Sequence, residues 1–342
     1  MKLAIVLFNL GGPDSPEAVE PFLRNLFSDP AIISLPAIFR LPLARFIAHR
    51  RAPVARKIYD QIGGRSPIFE ETRKQADALE AALSEGEVEA KVFVAMRCWH
   101  PFSDGAARAV KAFGADKIVL LPLYPQYSTS TTASSLKDWD RAARKAKLDI
   151  PTARICCYPD EPGFAAAMAG RIRQAMEGAA PGLSYRLLLS AHGLPKRTIA
   201  KGDPYQWQVE RTAAAVVAAL AMPDLEPVVC YQSRVGPLEW IGPATDAEIA
   251  RAGADGKGVI VAPIAFVSEH SETLVELDIE YAHLAREAGV RDYRRAPAVG
   301  AEPSFIDGLA KLVRQAIAST DITSSAGGRL CPEKFCRCAQ RA

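Results

Sequence analysis

A chain of 342 residues exceeds what one compact core ordinarily holds and points to about two domains, with 49% hydrophobic residues to fill their cores. Lys+Arg 42 against Asp+Glu 39 gives a net charge of +3, and without a basic block or aromatic-basic repeat the sequence excludes a nucleic-acid binder in favour of a small-molecule protein. No apolar run approaches the roughly 18 residues of a spanning helix, so no membrane crossing is expected.

Met1 to Phe8 has the apolar look of a signal-peptide core, but Asn9-Leu-Gly-Gly-Pro-Asp14 follows without a small-x-small cleavage site. The segment reads as a first strand, Lys2 to Leu10, ended by Gly11-Gly12-Pro13, with a helix next that carries Pro16 in its first turn. Leu35 to Ile47 is an apolar, broken helical segment followed by Arg50-Arg51, and Pro36 and Pro42 predict that no single long helix forms there. It packs on the core or forms a lip that meets an apolar ligand or a membrane face.

A helix over about 67–84 leads to the strand Ala90–Met96, which exits through Arg97-Cys98-Trp99-His100-Pro101. Another helix, about 103–113, leads to the strand Asp116–Tyr124 and the polar exit Pro125-Gln-Tyr-Ser-Thr-Ser-Thr-Thr132. Strands near 152–158, 185–192, 226–232 and 258–267 continue the rhythm, and a helix of about 303–318 carries the apolar stripe Ile306, Leu309, Leu312, Val313 and Ile317. Such alternation predicts an α/β fold of two similar Rossmann-like lobes, each a parallel sheet flanked by helices. Residues 118–132 and 259–273 align without gaps and share Pro122 with Pro263, Ser130 with Ser271 and Thr132 with Thr273, an echo expected of duplicated lobes facing one cleft. The expected division is a first lobe over 1–125 completed by helix 303–320, a second over 126–302, and a cysteine-rich tail over 321–342.

Chemistry concentrates at two strand ends. Tyr185 to Ala191 delivers Ser190 and His192 onto the break Gly193-Leu-Pro195, and the carboxyl ends of parallel strands are where ligands are met. An imidazole there exchanges protons near neutral pH; the plain alternative is a histidine bonded to a nearby carbonyl. Gly258 to Val267 ends in Ser268-Glu-His-Ser-Glu272, read as a helix start with Ser268 as N-cap and Glu269 and Glu272 in the first turns. Glu269, Glu272, Glu276 and Glu280 step by 3, 4 and 4, which puts them near one helical face, a pattern that a solvated acidic surface also produces.

Seven cysteines is an odd number, and Cys98, Cys156, Cys157 and Cys230 fall in or at the ends of strands, a usage that fits a reducing, cytoplasmic setting. After the flexible joint Ser324-Ser-Ala-Gly-Gly328, Cys331, Cys336 and Cys338 put three thiols in eight residues, which suggests zinc or an iron–sulfur centre.

Taken in order, Asn9-Leu-Gly-Gly-Pro13, Ile62-Gly-Gly-Arg-Ser-Pro67, Leu121-Pro-Leu-Tyr-Pro-Gln-Tyr-Ser128, Ser190-Ala-His-Gly-Leu-Pro195, Ser233-Arg-Val-Gly-Pro237, Trp240-Ile-Gly-Pro243 and Phe266-Val-Ser-Glu-His-Ser-Glu272 resemble ferrochelatase, over about residues 3 to 320. The resemblance implies a chelatase-like fold and insertion of ferrous iron into protoporphyrin IX, with release of two protons, as the last step of haem synthesis. Asn9-Leu-Gly-Gly-Pro13 favours protoporphyrin; coproporphyrin III and a cobalt or nickel chelatase are the nearer alternatives, and a non-catalytic tetrapyrrole carrier is the one from another class.

The resemblance assigns His192 and Glu272 as the catalytic, iron-handling pair, without deciding which takes the protons. It implies a π-bulged helix whose Glu269, Glu276 and Glu280 continue as an acidic channel. Porphyrin-binding positions fall on Leu10, Tyr59, Trp240 and Phe266 as apolar walls, Arg51, Ser128 and Ser233 as anchors, and Arg97 beside Cys98, which replaces the family's usual aromatic residue. The 35–47 lip would admit a membrane-soluble substrate, so peripheral membrane contact is expected of a cytoplasmic protein, and a homodimer is compatible with the family. Animal relatives place a [2Fe–2S] ligand at the position of Thr129, which cannot serve; Cys157, or its neighbour Cys156, is the expected partner of Cys331, Cys336 and Cys338, with zinc as the alternative.

Overall fold

Leu3 to Phe8 are buried without interruption, the mark of a strand covered on both faces, and they make β1 (Lys2–Asn9) an inner strand of a parallel sheet. A computed structural model describes residues 1–84, 88–234, 236 and 238–340. The chain divides into two compact units, residues 1–157 with 309–329 and residues 158–308 with 330–342.

In the first unit, β1 pairs with β2 (Glu89–Met96) and β3 (Lys117–Pro122), β3 with β4 (Thr152–Cys157), and β4 with β9 (Ile322–Ser324), all parallel, in the order β2-β1-β3-β4-β9. Helices α4 (Ser103–Phe113) and α5 (Thr132–Ala146) cover one face through Ala106, Val110, Leu136 and Trp139. Helices α1 (Val19–Phe27) and α2 (Ala37–Asp60) pack together through Phe22, Leu23, Ala48, Ala52 and Tyr59; α3 (Ile68–Leu83) precedes β2.

In the second unit, β5 (Tyr185–His192) is the inner strand of the order β6-β5-β7-β8, with β6 (Glu226–Gln232), β7 (Gly258–Pro263) and β8 (Tyr293–Arg295) again parallel. Around it run α6 (Pro162–Met176), α7 (Lys196–Ala200), α8 (Tyr205–Leu220), α9 (Thr245–Ala254), a π-helix (Glu272–Glu280) and α10 (Tyr281–Glu287). Helix α11 (Pro303–Ile317) follows β8. The orders 2-1-3-4 and 6-5-7-8 are the same pattern, and the echoed segments begin in the equivalent strands β3 and β7, with Pro122 and Pro263 each the last strand residue.

Several expectations need correction. α2 is one 24-residue helix that runs through Pro42 and Pro53. Both prolines are exposed, off the packed stripe of Ala44, Ala48, Ala52 and Tyr59, so each removes one ladder bond without disturbing the buried face. Pro16 sits in the turn before α1, where Ser15 Oγ accepts from the Ala18 amide at 3.3 Å. The first unit extends past residue 125, because β4 pairs with β3 in register from Ile118↔Thr152. The joint at 324–328 begins as strand β9 and a turn closed by Ser324 Oγ on the Gly328 carbonyl at 2.5 Å, and 330–342 group with the second unit.

Candidate active site

β5 ends on His192, and β6, its parallel neighbour, ends on Gln232 in register with it. After β6 the chain turns through Ser233, whose φ of 60° is left-handed, a conformation that costs a non-glycine residue about 1–3 kcal/mol and persists where surrounding contacts fix it. Those contacts are acidic. The Ser233 amide donates to Glu276 Oε1 at 2.8 Å, and its hydroxyl lies 2.5 Å from Glu276 Oε2 and 3.2 Å from Glu272 Oε2.

The two carboxylates arrive on the π-helix, and Glu272 Oε2 meets His192 Nδ1 at 2.8 Å. Gln232 ties the group together: Ser190 Oγ donates to its Oε1 at 2.8 Å, which aims its Nε2 at the Glu272 carbonyl and at Glu276 Oε2, each at 3.1 Å. Tyr281 OH donates to Glu276 Oε1 at 3.0 Å, and Tyr205 OH donates to the His192 carbonyl at 3.0 Å.

Electrostatics follow from this contact. Burial pushes the His192 imidazole down, but the Glu272 carboxylate, with Glu276 behind it, outweighs burial and holds it above its ordinary value. Burial raises Glu272, and His192, His270 and Ser233 together overcome it and hold the carboxyl at about 2. Glu276 goes the other way, raised by burial and then by the charge on Glu272. Each group thus favours the charged form of the other, and 37% and 30% of the two side chains stand exposed to an incoming ligand.

The structure brings together His192, Glu272, Glu276 and Ser233, and leaves the other expected acids apart. Residues 264–270 are not helical, so Ser268 caps no helix and Glu269 precedes the first turn. Glu269 instead accepts from Arg295 Nη1 at 2.6 Å and the Ala298 amide at 2.9 Å; burial pushes its carboxyl up, but Arg295 and these bonds hold it low. Glu280, at the end of the π-helix, is exposed. Ser233, expected as a porphyrin anchor, binds the two acids.

Of the second-unit wall residues, Phe266 meets His270 in a tilted contact with ring centroids 4.6 Å apart, and Trp240 bridges Pro195 beside Gly193, where a Cβ would meet the indole at 3.2 Å. Val235 and Pro237 of the Ser233 motif lie outside the described residues. In the first unit Leu10 packs against the Tyr59 cluster, Arg51 is exposed on α2, and Ser128 is buried with its Oγ 2.9 Å from Ser130 Oγ. Arg97 pairs with Asp29 at 2.8 Å and donates to Ser134 Oγ at 2.7 Å, in a cavity of about 310 Å³ lined also by Asn25, Asp104, Asp138 and Arg141. Sequence reasoning missed Gln232, Tyr205 and Tyr281; the strand-end position of Gln232 next to the Ser233 motif was the available signal.

Cys156 and Cys157 are buried at the end of β4 with sulfurs 3.4 Å apart, and Cys157 registers with Ser324 of β9. In the tail, Cys331 and Cys338 share a buried patch with Phe335 and Trp207, while exposed Cys336 lies 3.6 Å from the Lys201 carbonyl. Thiol chemistry suits an iron–sulfur cluster, but among the described residues no three His, Cys, Asp or Glu groups converge to hold a metal ion.

The sequence profile of the ferrochelatase family matches residues 2–317. A curated ferrochelatase of Caulobacter vibrioides is 56% identical over 99% of this chain and 98% of its own length, and that of Phenylobacterium zucineum is 56% identical over 100% and 98%. The ferrochelatase of Pelagibacter ubique is 48% identical over 92% and 91%. Among solved structures, SirB from Bacillus subtilis with Fe3+ superposes with a TM-score of 0.55 at 15% identity, over 93% of this chain and 96% of that one. CbiX, the terminal enzyme of sirohaem synthesis in denitrifying bacteria, does so at 0.50 and 17%, over 92% and 99%. At such identity these two show the fold alone, a two-sheet chelatase architecture.

Proposed function

This chain belongs to the ferrochelatase family and inserts iron into a porphyrin in haem synthesis, and from that premise we propose that its porphyrin is protoporphyrin IX and that His192, Glu272 and Glu276 perform the exchange. The observation that carries the site is the 2.8 Å contact between His192 Nδ1 and Glu272 Oε2, with Ser233 joining Glu272 to Glu276.

On this reading a carboxylate held ionised at about 2 is a hard oxygen donor that takes over from water on arriving Fe2+. The cation offsets the charge that favours the protonated imidazole, so His192, part-exposed, releases its proton to solvent and becomes a base. A neutral His192 then takes pyrrole protons one at a time, and Glu276, whose raised carboxyl gains and loses protons more readily, passes them on. The porphyrin gives up two protons and accepts Fe2+ with no change of oxidation state. Comparing kcat/KM for protoporphyrin IX and coproporphyrin III tests the substrate; preference for the second overturns that part.

The lip is read as a peripheral membrane contact of a cytoplasmic protein. Ile38, Phe39 and Phe46 are 75%, 65% and 62% exposed on α2, with Arg40, Arg45 and Arg50 close by in sequence. Full burial of such a side chain in an apolar phase is worth about 1.5–3 kcal/mol, and each arginine near an anionic surface about 1. No helix among the described residues is long and apolar enough to cross a membrane.

The tail is read as the holder of a [2Fe–2S] cluster on Cys157, Cys331, Cys336 and Cys338, which supplies a staple or a redox-sensitive latch and takes no part in metallation. In support, the tail docks on α8, where Gln208 Nε2 donates to Cys331 Sγ at 3.0 Å and Trp207 meets Phe335. Tyr205 of the same helix holds the His192 carbonyl.

A further inference from the structure

A π-helix packs less well than an α-helix and ordinarily lasts a single turn; here it runs nine residues, Glu272–Glu280. Something beyond its own ladder must hold it, and strand β8 supplies two grips. Arg295 takes Asp278 in a fork, Nε to Oδ1 at 2.7 Å and Nη2 to Oδ2 at 2.6 Å, while its Nη1 reaches Glu269 Oε1 at 2.6 Å. Tyr293, on the same side of the strand, donates its hydroxyl to the Leu277 carbonyl at 2.7 Å. The Arg295 side chain is only 12% exposed, and a planar bidentate fork fixes direction as well as distance.

The gripped residues matter for where they stand. Leu277 and Asp278 follow Glu276 directly, and Glu269 lies three residues before Glu272. We infer that Arg295 and Tyr293 are positioning residues for iron insertion: they hold the π-helical register that turns Glu272 and Glu276 toward His192 and Ser233. Were the segment to rewind with α-helical bonds, Glu276 would swing about the axis relative to Glu272 by roughly 70°. That swing breaks its bonds to Ser233 and Gln232. The clamp thus links the edge strand of the second sheet to the geometry of the reacting acids, and it rests on the proposed role of those acids.

The test uses the full chain with ferrous iron and protoporphyrin IX, and measures kcat, KM for each substrate and Tm for Arg295→Gln, Arg295→Lys and Tyr293→Phe beside Glu272→Gln. Loss of a group that orients a metal-binding side chain typically costs about 10-fold or more. The expectation is that decrease in kcat with a raised iron KM and an unchanged porphyrin KM. Arg295→Lys, which keeps the charge and loses the fork, should resemble Arg295→Gln. A lowered Tm with unchanged kcat and iron KM overturns the inference, since that is what a purely structural rivet gives. If Arg295→Gln fails to fold, Tyr293→Phe decides by the same two parameters, because it loses one hydroxyl and no charge. Clamp variants at wild-type rate beside an inactive Glu272→Gln refute the clamp alone, whereas a fully active Glu272→Gln refutes the assigned site and the clamp with it.

Discussion

His192 Nδ1 and Glu272 Oε2, 80 residues apart in the chain, stand 2.8 Å apart at the ends of a strand and the start of a π-helix. Neither segment alone makes a site; the contact converts a strand-end base and a half-buried acid into a pair whose proton can be moved by a third charge.

That pairing fixes the sign of the pH response. His192 is held above its ordinary value of roughly 6.5, so the acid limb of kcat/KM should fall above that value, with activity rising as the imidazole deprotonates. Glu272→Gln removes the opposing charge, and an NMR titration of His192 should then move down. For stability, a raised imidazole contributes below its unfolded value and loses its contribution as pH rises through the folded one. Glu272, held at about 2, contributes above its ordinary value of 4.5 and loses that contribution as pH falls toward 2. A His192 titration that ignores Glu272→Gln contradicts the pair.

The three glutamates of the π-helix should separate by position. Glu272→Gln keeps shape and removes charge and proton acceptance, and a loss of about 100-fold or more in kcat is expected for an acid–base group. Glu276→Gln, which keeps some bonds to Ser233 and Gln232, should lose less, and Glu280→Gln, exposed, should stay near wild type. Equal, small effects at all three would return the row to a solvated surface.

The lip should bind lipid through α2. Replacing Ile38, Phe39 and Phe46 together by serine should abolish co-sedimentation with anionic vesicles while leaving Tm in place, because all three are exposed. Undiminished binding would remove the membrane role from this helix.

For the tail, purified protein should carry iron and acid-labile sulfide, and Cys157→Ser should lose both where Cys156→Ser keeps them. Loss only in Cys156→Ser would move the ligand to its neighbour, and a colourless protein containing zinc would end the cluster assignment.

Both sheets are legible in the sequence because strands covered on two faces write continuous apolar runs, as Leu187-Leu-Leu189 and Val259-Ile-Val261 do. Proline arithmetic misleads over α2, since it counts the lost bond at Pro42 and not that the residue lies off the packed stripe. The row of acids misleads in another way. A step of 3, 4 and 4 presumes 3.6 residues per turn from Glu269 onward, whereas the helix begins later and is π-helical, so Glu269 turns to Arg295 and Glu280 to solvent. Gln232 offers only its strand-end place beside Ser233, and Arg295 carries no local pattern of its own, because their partners lie 40 and 26 residues away.

The central claim is that the His192–Glu272 pair performs metallation while other residues hold the porphyrin. The direct measurement is ferrous iron insertion by His192→Ala, followed by the loss of porphyrin fluorescence, with porphyrin binding measured on the same preparation. Binding should persist while turnover falls by about 100-fold or more. Turnover near the wild-type rate would contradict it.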